Sequence, residues 1–206
     1  MEKALLLSPS EAERAVPLKT LPYATLIVGS EFCQNQLPSL AALKGLARRF
    51  SGVKLALATA FVTDKGLRRW ERLLASLPRG LVSEVIVNDW GLLPALKKHG
   101  PFALSAGRLL MRELAGMDKG WTAAFLKDAG ITAAETDTPG LAAAAARLRL
   151  KTSSHRPLVF TAVTTFCPFE KHFRAECGHS CENRLVKLEN RHLPLPLYLG
   201  EKAYFS

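Results

Sequence analysis

The four cysteines of this chain fall into two groups. Cys33 stands alone near the N-terminus, while Cys167, Cys177 and Cys181 lie together in the segment CPFEKHFRAECGHSC. Thiolates at such spacing are soft ligands suited to zinc or an iron-sulfur cluster. Three cysteines in a polar loop, two of them separated only by GHS, are a poor pattern for core packing. Four are also too few for a disulfide scaffold in 206 residues, and in a reducing compartment clustered thiols bind metal or react. Cys33 alone reads as a small buried hydrophobe beside a strand. Taken with the trio, it completes a tetrathiolate that ties distant parts of the chain together. His172 and His179 are the substitutes for Cys33 in a Cys3His zinc site, although beside Lys171 and Arg174 they read as solvated side chains.

Bringing Cys33 to the trio requires a framework, and the sequence supplies a repeated one. With 48% apolar and 22% charged residues the chain has the composition of one compact soluble domain rather than a disordered segment. Aliphatic runs alternate with stretches of three- and four-residue periodicity, the pattern of strands followed by helices in a parallel sheet. Strands are predicted over Ala4 to Leu7, Ala24 to Gly29, Val53 to Thr59, Ser83 to Asn88, Pro101 to Ser105, Thr132 to Thr136 and Pro157 to Val163. Helices are predicted over Ser10 to Leu18, Ser39 to Arg49, Asp64 to Leu77, Leu92 to His99, Arg108 to Ala115, Trp121 to Ala129 and Gly140 to Leu148. Ser10, Ser39 and Asp64 are candidate N-caps, with Glu13 closing a capping box on Ser10. Gly80, Gly100 and Gly130 follow helices where a left-handed residue is expected. Such a repeat either closes toward a TIM-like barrel or opens into a doubly wound sheet. In a barrel, Cys33 after the second strand and Cys167 after the seventh share the C-terminal rim. The body spans 1–166, and 167–206 forms a cysteine-rich loop and hairpin cap, bending at Asn190 to His192 and confined to an edge by Pro194 and Pro196.

At these cysteines the sequence resembles the collagenase-like peptidase family. The resemblance rests on GSEFC after a strand, VNDWG after a later strand, and the three-cysteine loop followed by a PL-rich strand. Within that family it is closest to the iron-sulfur branch acting in oxygen-independent ubiquinone hydroxylation. The resemblance implies a (β/α)-barrel-like fold and a [4Fe-4S] cluster on Cys33, Cys167, Cys177 and Cys181. It also implies anaerobic hydroxylation of a quinone precursor or an RNA base, carried out with partner proteins. It places Asn88 and Asp89 in the turn after the fourth strand and Glu135 on the sixth, while Arg108 and Arg112 stand where the family carries an asparagine motif. Seven strands leave the barrel open, so a partner chain or a second copy is expected to cover the gap.

Other chemistries lack residues to carry them. There is no HExxH helix, no GxSxG elbow, no GxGxxG turn and no Walker loop. Candidates for substrate contact are therefore the rim residues Asp89, Arg108, Arg112 and Glu135, with Trp90 as a stacking surface or a half-buried packing residue. Twenty-eight basic against 18 acidic residues give a net charge of +10, which favours polyanions. Many of these cations stand at helix C-termini, and no aromatic-basic interleaving marks a nucleic-acid module. The alternative to an iron-sulfur subunit is a structural zinc protein. With neither a signal-peptide pattern nor an apolar run of membrane length, a cytoplasmic protein without a membrane span is expected.

Overall fold

In the computed structural model, which describes residues 3–16, 22–172, 177–182, 184–191 and 195–206, the aliphatic runs become parallel strands. These are β1 (Ala4–Leu7), β2 (Thr25–Gly29), β3 (Lys54–Ala58), β4 (Glu84–Val87), β5 (Ala103–Ala106), β6 (Ile131–Thr136) and β7 (Lys151–Ser154). Between them run α1 (Pro9–Arg14), α2 (Leu40–Arg49), α3 (Asp64–Ser76), a 3-10 turn at Trp90–Leu92 leading into α4 (Leu93–His99), α5 (Arg108–Ala115), α6 (Lys119–Ala129) and α7 (Pro139–Arg147). The strands lie side by side in chain order. A doubly wound sheet would reverse its order at a switch point; without a reversal, right-handed crossovers keep the helices on one face and the sheet curls around the other. The two faces differ accordingly. Leu26, Val28, Leu55, Leu57, Val85 and Val87 pack with helix residues in the main core, whereas Ile27, Ala56, Ala58 and Ile86 form a small inner cluster. The curled sheet does not close, and β1 and β7 are its edges, giving an incomplete TIM-barrel-like fold. No helix among the described residues is long and apolar enough to cross a membrane.

The seventh strand differs from the expected one. It is the polar run KTSS, exposed at every position, and its ladder to β6 runs from Ala133↔Lys151 to Thr136↔Ser154. An edge strand bonded on one side needs no apolar alternation, which is why the pattern search passed over it. The predicted Pro157 to Val163 instead yields β8 (Phe160–Val163), part of a separate antiparallel sheet ordered β8-β11-β10-β9, with β9 (Leu185–Leu188), β10 (Leu197–Gly200) and β11 (Ala203–Phe205). Cys167 therefore follows β8 and not a barrel strand. The predicted hairpin is the β9–β10 pair, but β10 is an inner strand of four, because Pro196 precedes it and removes no ladder bond. His192, Pro194 and the predicted helix end at Leu18 lie outside the described residues.

Helix boundaries also shift where a better cap competes. Ser8, not Ser10, caps α1, with Glu11 completing the box, and Pro9 suits the first helical position. Thr63 caps α3, leaving Asp64 in the first turn, while Ser39 caps α2 as expected. Gly130 ends α6 in the left-handed region; Gly80 is left-handed too, at φ 78°, in the turn that follows α3, whereas Gly100 is extended.

The antiparallel sheet docks on the barrel rim through Phe32, Leu109, Phe160 and Ala203. The Phe32 ring lies 4.9 Å from Phe160 and 5.4 Å, edge-on, from Phe205. Each such aromatic contributes roughly 1.5–3 kcal/mol through burial. Polar bonds fix the orientation: Asp137 Oδ2 accepts the Phe160 amide at 2.8 Å.

Candidate metal centre and rim cavity

The loop after β2 carries Ser30, Glu31, Phe32 and Cys33. Ser30 Oγ accepts the amides of Phe32 and Cys33, both at 2.9 Å, and donates to Glu201 Oε2 in the β10–β11 turn. On its far side the loop is held by α3: Gln34 Oε1 accepts the Thr63 amide at 2.9 Å, and Asn35 Oδ1 accepts Arg69 Nη1 at 3.1 Å. Cys33 is thus fixed between barrel and cap before any ligand is considered.

The four thiols lie near enough here to influence one another electrostatically. All are free; Cys33, Cys167 and Cys181 are buried and Cys177 is half-buried. The Cys181 thiol feels those of Cys33 and Cys177, and the Cys177 thiol feels that of Cys167. Three of the sulfurs also accept an N–H bond: Cys167 from the Glu170 amide at 3.4 Å, Cys177 from the His179 amide at 3.3 Å, and Cys181 from Gln36 Nε2 at 3.9 Å, while the Asn35 amide stands near the Cys33 thiol. Thiols are weak acceptors, so these donors aimed at sulfurs form an environment for thiolates. As free thiols Cys33, Cys177 and Cys181 are disfavoured from ionising: burial raises all three, Cys33 up to about 11 and Cys181 up to about 12. A cation at their centre would reverse that preference.

The donor set fits a thiolate-ligated centre, zinc or iron-sulfur, and N–H bonds to the sulfurs would tune such a centre. His172 faces Glu170 at 3.9 Å and His179 faces Glu182 at 3.6 Å, so the imidazoles turn toward carboxylates.

Beside the cysteines, the same rim gathers a buried ion network. Arg108 bonds Glu31 through Nη2 at 2.5 Å and Nε at 3.0 Å, and reaches Asp137 at 3.4 Å. Arg112 Nη2 lies 3.8 Å from the other Asp137 oxygen, and its guanidinium carbon lies 4.3 Å from the Phe160 ring centroid. His155, just past β7, contacts Glu135 Oε2 through Nε2 and lies 4.0 Å from Glu31. Burial alone would raise the Glu31 carboxyl, but the charge and hydrogen bonds of Arg108 outweigh it and hold Glu31 below its ordinary value. Glu135 lacks such a partner; burial and the Glu31 charge push it up to about 8. Burial likewise lowers His155. Glu31, Glu135 and His155 place their ligand atoms within 4.8 Å of one another, but Arg108 already occupies the Glu31 oxygens, making this an ion network rather than a cation site.

A cavity of about 300 Å³ lies above the network, lined among others by Leu6, Glu31, Phe32, Arg108, His155 and Phe205. Of the expected substrate residues, Arg108 lines it and Glu135 lies behind His155. Asp89 does not reach it: its carboxylate accepts the Val62 and Gly91 amides at 2.8 and 2.7 Å. Arg112 serves the seam instead, donating to the Phe160 carbonyl. Asn88 ties three strand ends together, bonding Thr59 and Leu109, and its side chain occupies the space a Cβ at Gly107 would need. Trp90 donates to Glu113 at 2.7 Å and packs on Phe125, so it is a packing residue. The sequence reading missed His155, Asp137 and Glu201. Glu31 was visible only as the acidic residue of GSEFC.

No family model, curated protein or solved structure matches this chain.

Proposed function

We propose that Cys33, Cys167, Cys177 and Cys181 hold a [4Fe-4S] cluster, and that the protein is an iron-sulfur subunit of oxygen-independent hydroxylation in a reducing cytoplasm. One observation carries the reading: four buried or half-buried thiols from distant parts of the chain gather on one side of the rim, and three of them accept an N–H bond. The cluster, when bound, would supply electron transfer. Full cysteine ligation leaves no open iron position, so the chain's own residues handle the substrate. Phe32 and Phe160 exclude water from the Cys33 loop, Ser30 orients that loop, and Arg108 holds the Glu31 carboxylate at the cavity floor. A quinone precursor or an RNA base is the substrate class implied by the resemblance to the collagenase-like peptidase family. The unpaired outer sides of β1 and β7 support a role for a partner protein or a second copy.

Anaerobic purification followed by iron, sulfide and zinc analysis tests this. The expected product is brown, with absorption near roughly 400 nm from thiolate-to-iron transitions and about four iron atoms per chain. Each of the four Cys→Ser variants should lose that absorption. Stoichiometric zinc without iron would replace the reading with a structural zinc site, and a Cys33→Ser protein that keeps its iron would remove Cys33 from the ligand set.

A further inference from the structure

We infer that the rim cavity is a ligand site separate from the cysteines. Its ligand is an uncharged single-ring molecule bearing a hydroxyl or carbonyl, which His155 contacts and Glu135 supports from behind. The cavity's volume of about 300 Å³ is at the small end of ligand sites. It opens where β1 and β7 fail to pair, at the strand C-termini where barrel sites are built. Leu6, Phe32, Leu158 and Phe205 give it apolar sides, and Arg108 and His155 lie on its lining.

The charges select the ligand. Arg108 is engaged by Glu31 and Asp137, so it has no free edge for an anion, and the Glu31 carboxylate repels one. Arg156 stands at the mouth, exposed to solvent, where screening weakens its pull. Glu11 and Glu201 also line the cavity; Glu11 accepts the Ser8 amide, and Glu201 accepts the Ser30 hydroxyl and is pushed by burial up to about 7. These acids repel an anion while Arg108 and Arg156 oppose a cation, and a neutral ligand is favoured. Three buried carboxylates, Glu31, Glu135 and Asp137, face Arg108 and the partly exposed Arg112. Glu135 is the carboxylate without an arginine bond, and it contacts His155 instead. The pair therefore holds a proton between carboxyl and imidazole. On the cavity side His155 can give or accept a hydrogen bond, and Glu135 sets which. His155 is the contact residue and Glu135 the positioning residue. None of this uses the cysteines, so the site stands or falls independently of the cluster.

Phenol, benzoate and benzylammonium offer one ring with three charges. Each is titrated into metal-free protein, and into the Cys181→Ser variant, with isotope-labelled histidines followed by NMR. The chain has five histidines, and His155 is identified by the signal lost in His155→Gln. Phenol is expected to shift the His155 signal saturably and to bind more tightly than either charged probe, with about tenfold weaker binding in His155→Gln, the worth of one hydrogen bond. Glu135→Gln, close to isosteric, is expected to change the His155 ring-nitrogen shifts before any ligand is added. It also keeps the test open should His155→Gln fail to fold. Tighter binding of a charged probe, phenol shifts that bypass His155, or unchanged His155 nitrogens in Glu135→Gln would each overturn the assignment.

Discussion

Ser30 donates its hydroxyl proton to Glu201 while its oxygen accepts the amides of Phe32 and Cys33. One small side chain thus joins the β2 loop to the β10–β11 turn and sets the direction of Cys33. Ser30→Ala leaves the buried Glu201 carboxyl without this partner. We expect it to destabilise the metal-free protein by roughly 2 kcal/mol, the cost of an unsatisfied buried polar group, and to speed alkylation of Cys33. Urea unfolding and thiol labelling measure both; Ser30→Thr, which keeps the hydroxyl, should restore most of each.

Arg108 is matched to Glu31 in a pocket where both side chains are almost wholly buried. Removing one member strands the other, so Arg108→Leu should destabilise the fold by about 3–5 kcal/mol. The double variant Arg108→Leu, Glu31→Leu should recover much of that loss. A single variant with unaltered denaturation midpoint would mean that water reaches the pair.

Stability should depend on pH through Glu135. Its carboxyl sits at about 8 in the folded protein, against an ordinary 4.5. The folded state therefore holds this proton more tightly, and the resulting stabilisation is full below the ordinary value and lost as pH rises through about 8. His155, held below its ordinary 6.5, works in the opposite sense: its contribution is present above 6.5 and lost on acidification. Glu201, pushed by burial up to about 7, acts in the same sense as Glu135, so the melting temperature should fall from pH 6.5 to 8, less steeply in Glu135→Gln. Thermal unfolding across that window decides the sign.

Thiol reactivity should follow burial and ionisation together. In reduced, metal-free protein at neutral pH, Cys177, the half-buried member, should be alkylated first. Cys33 and Cys181, pushed up to about 11 and about 12, should react slowly because the thiolate is the nucleophile. Peptide mass spectrometry after timed exposure to iodoacetamide reads the order. Rapid labelling of Cys181 would contradict its buried placement.

The sequence disclosed the barrel body where burial shapes composition. Leu26, Val28, Leu55 and Leu57 recur as aliphatic runs because strands covered on both faces must be apolar. Lys151–Ser154 was illegible for the converse reason: an exposed edge carries no hydrophobic requirement. Its loss shifted the seventh strand onto residues that belong to the second sheet. The cysteines were legible by spacing, whereas the residues that aim them were not. Gln36, Glu201 and the amides of Glu170 and His179 act through contacts that no local pattern records. His155 follows a polar strand without periodicity, and only the fold brings it to Glu135.

The Ser206 amide and carbonyl both pair with Val159, so a residue far downstream of Cys33 helps to close the small sheet that carries the cysteine loop. During synthesis Cys33 leaves the ribosome on the order of ten seconds ahead of its three counterparts at usual elongation rates. Until the small sheet zips shut, that early thiol waits without companions, and this interval is when oxidants or stray metals can most readily intercept it.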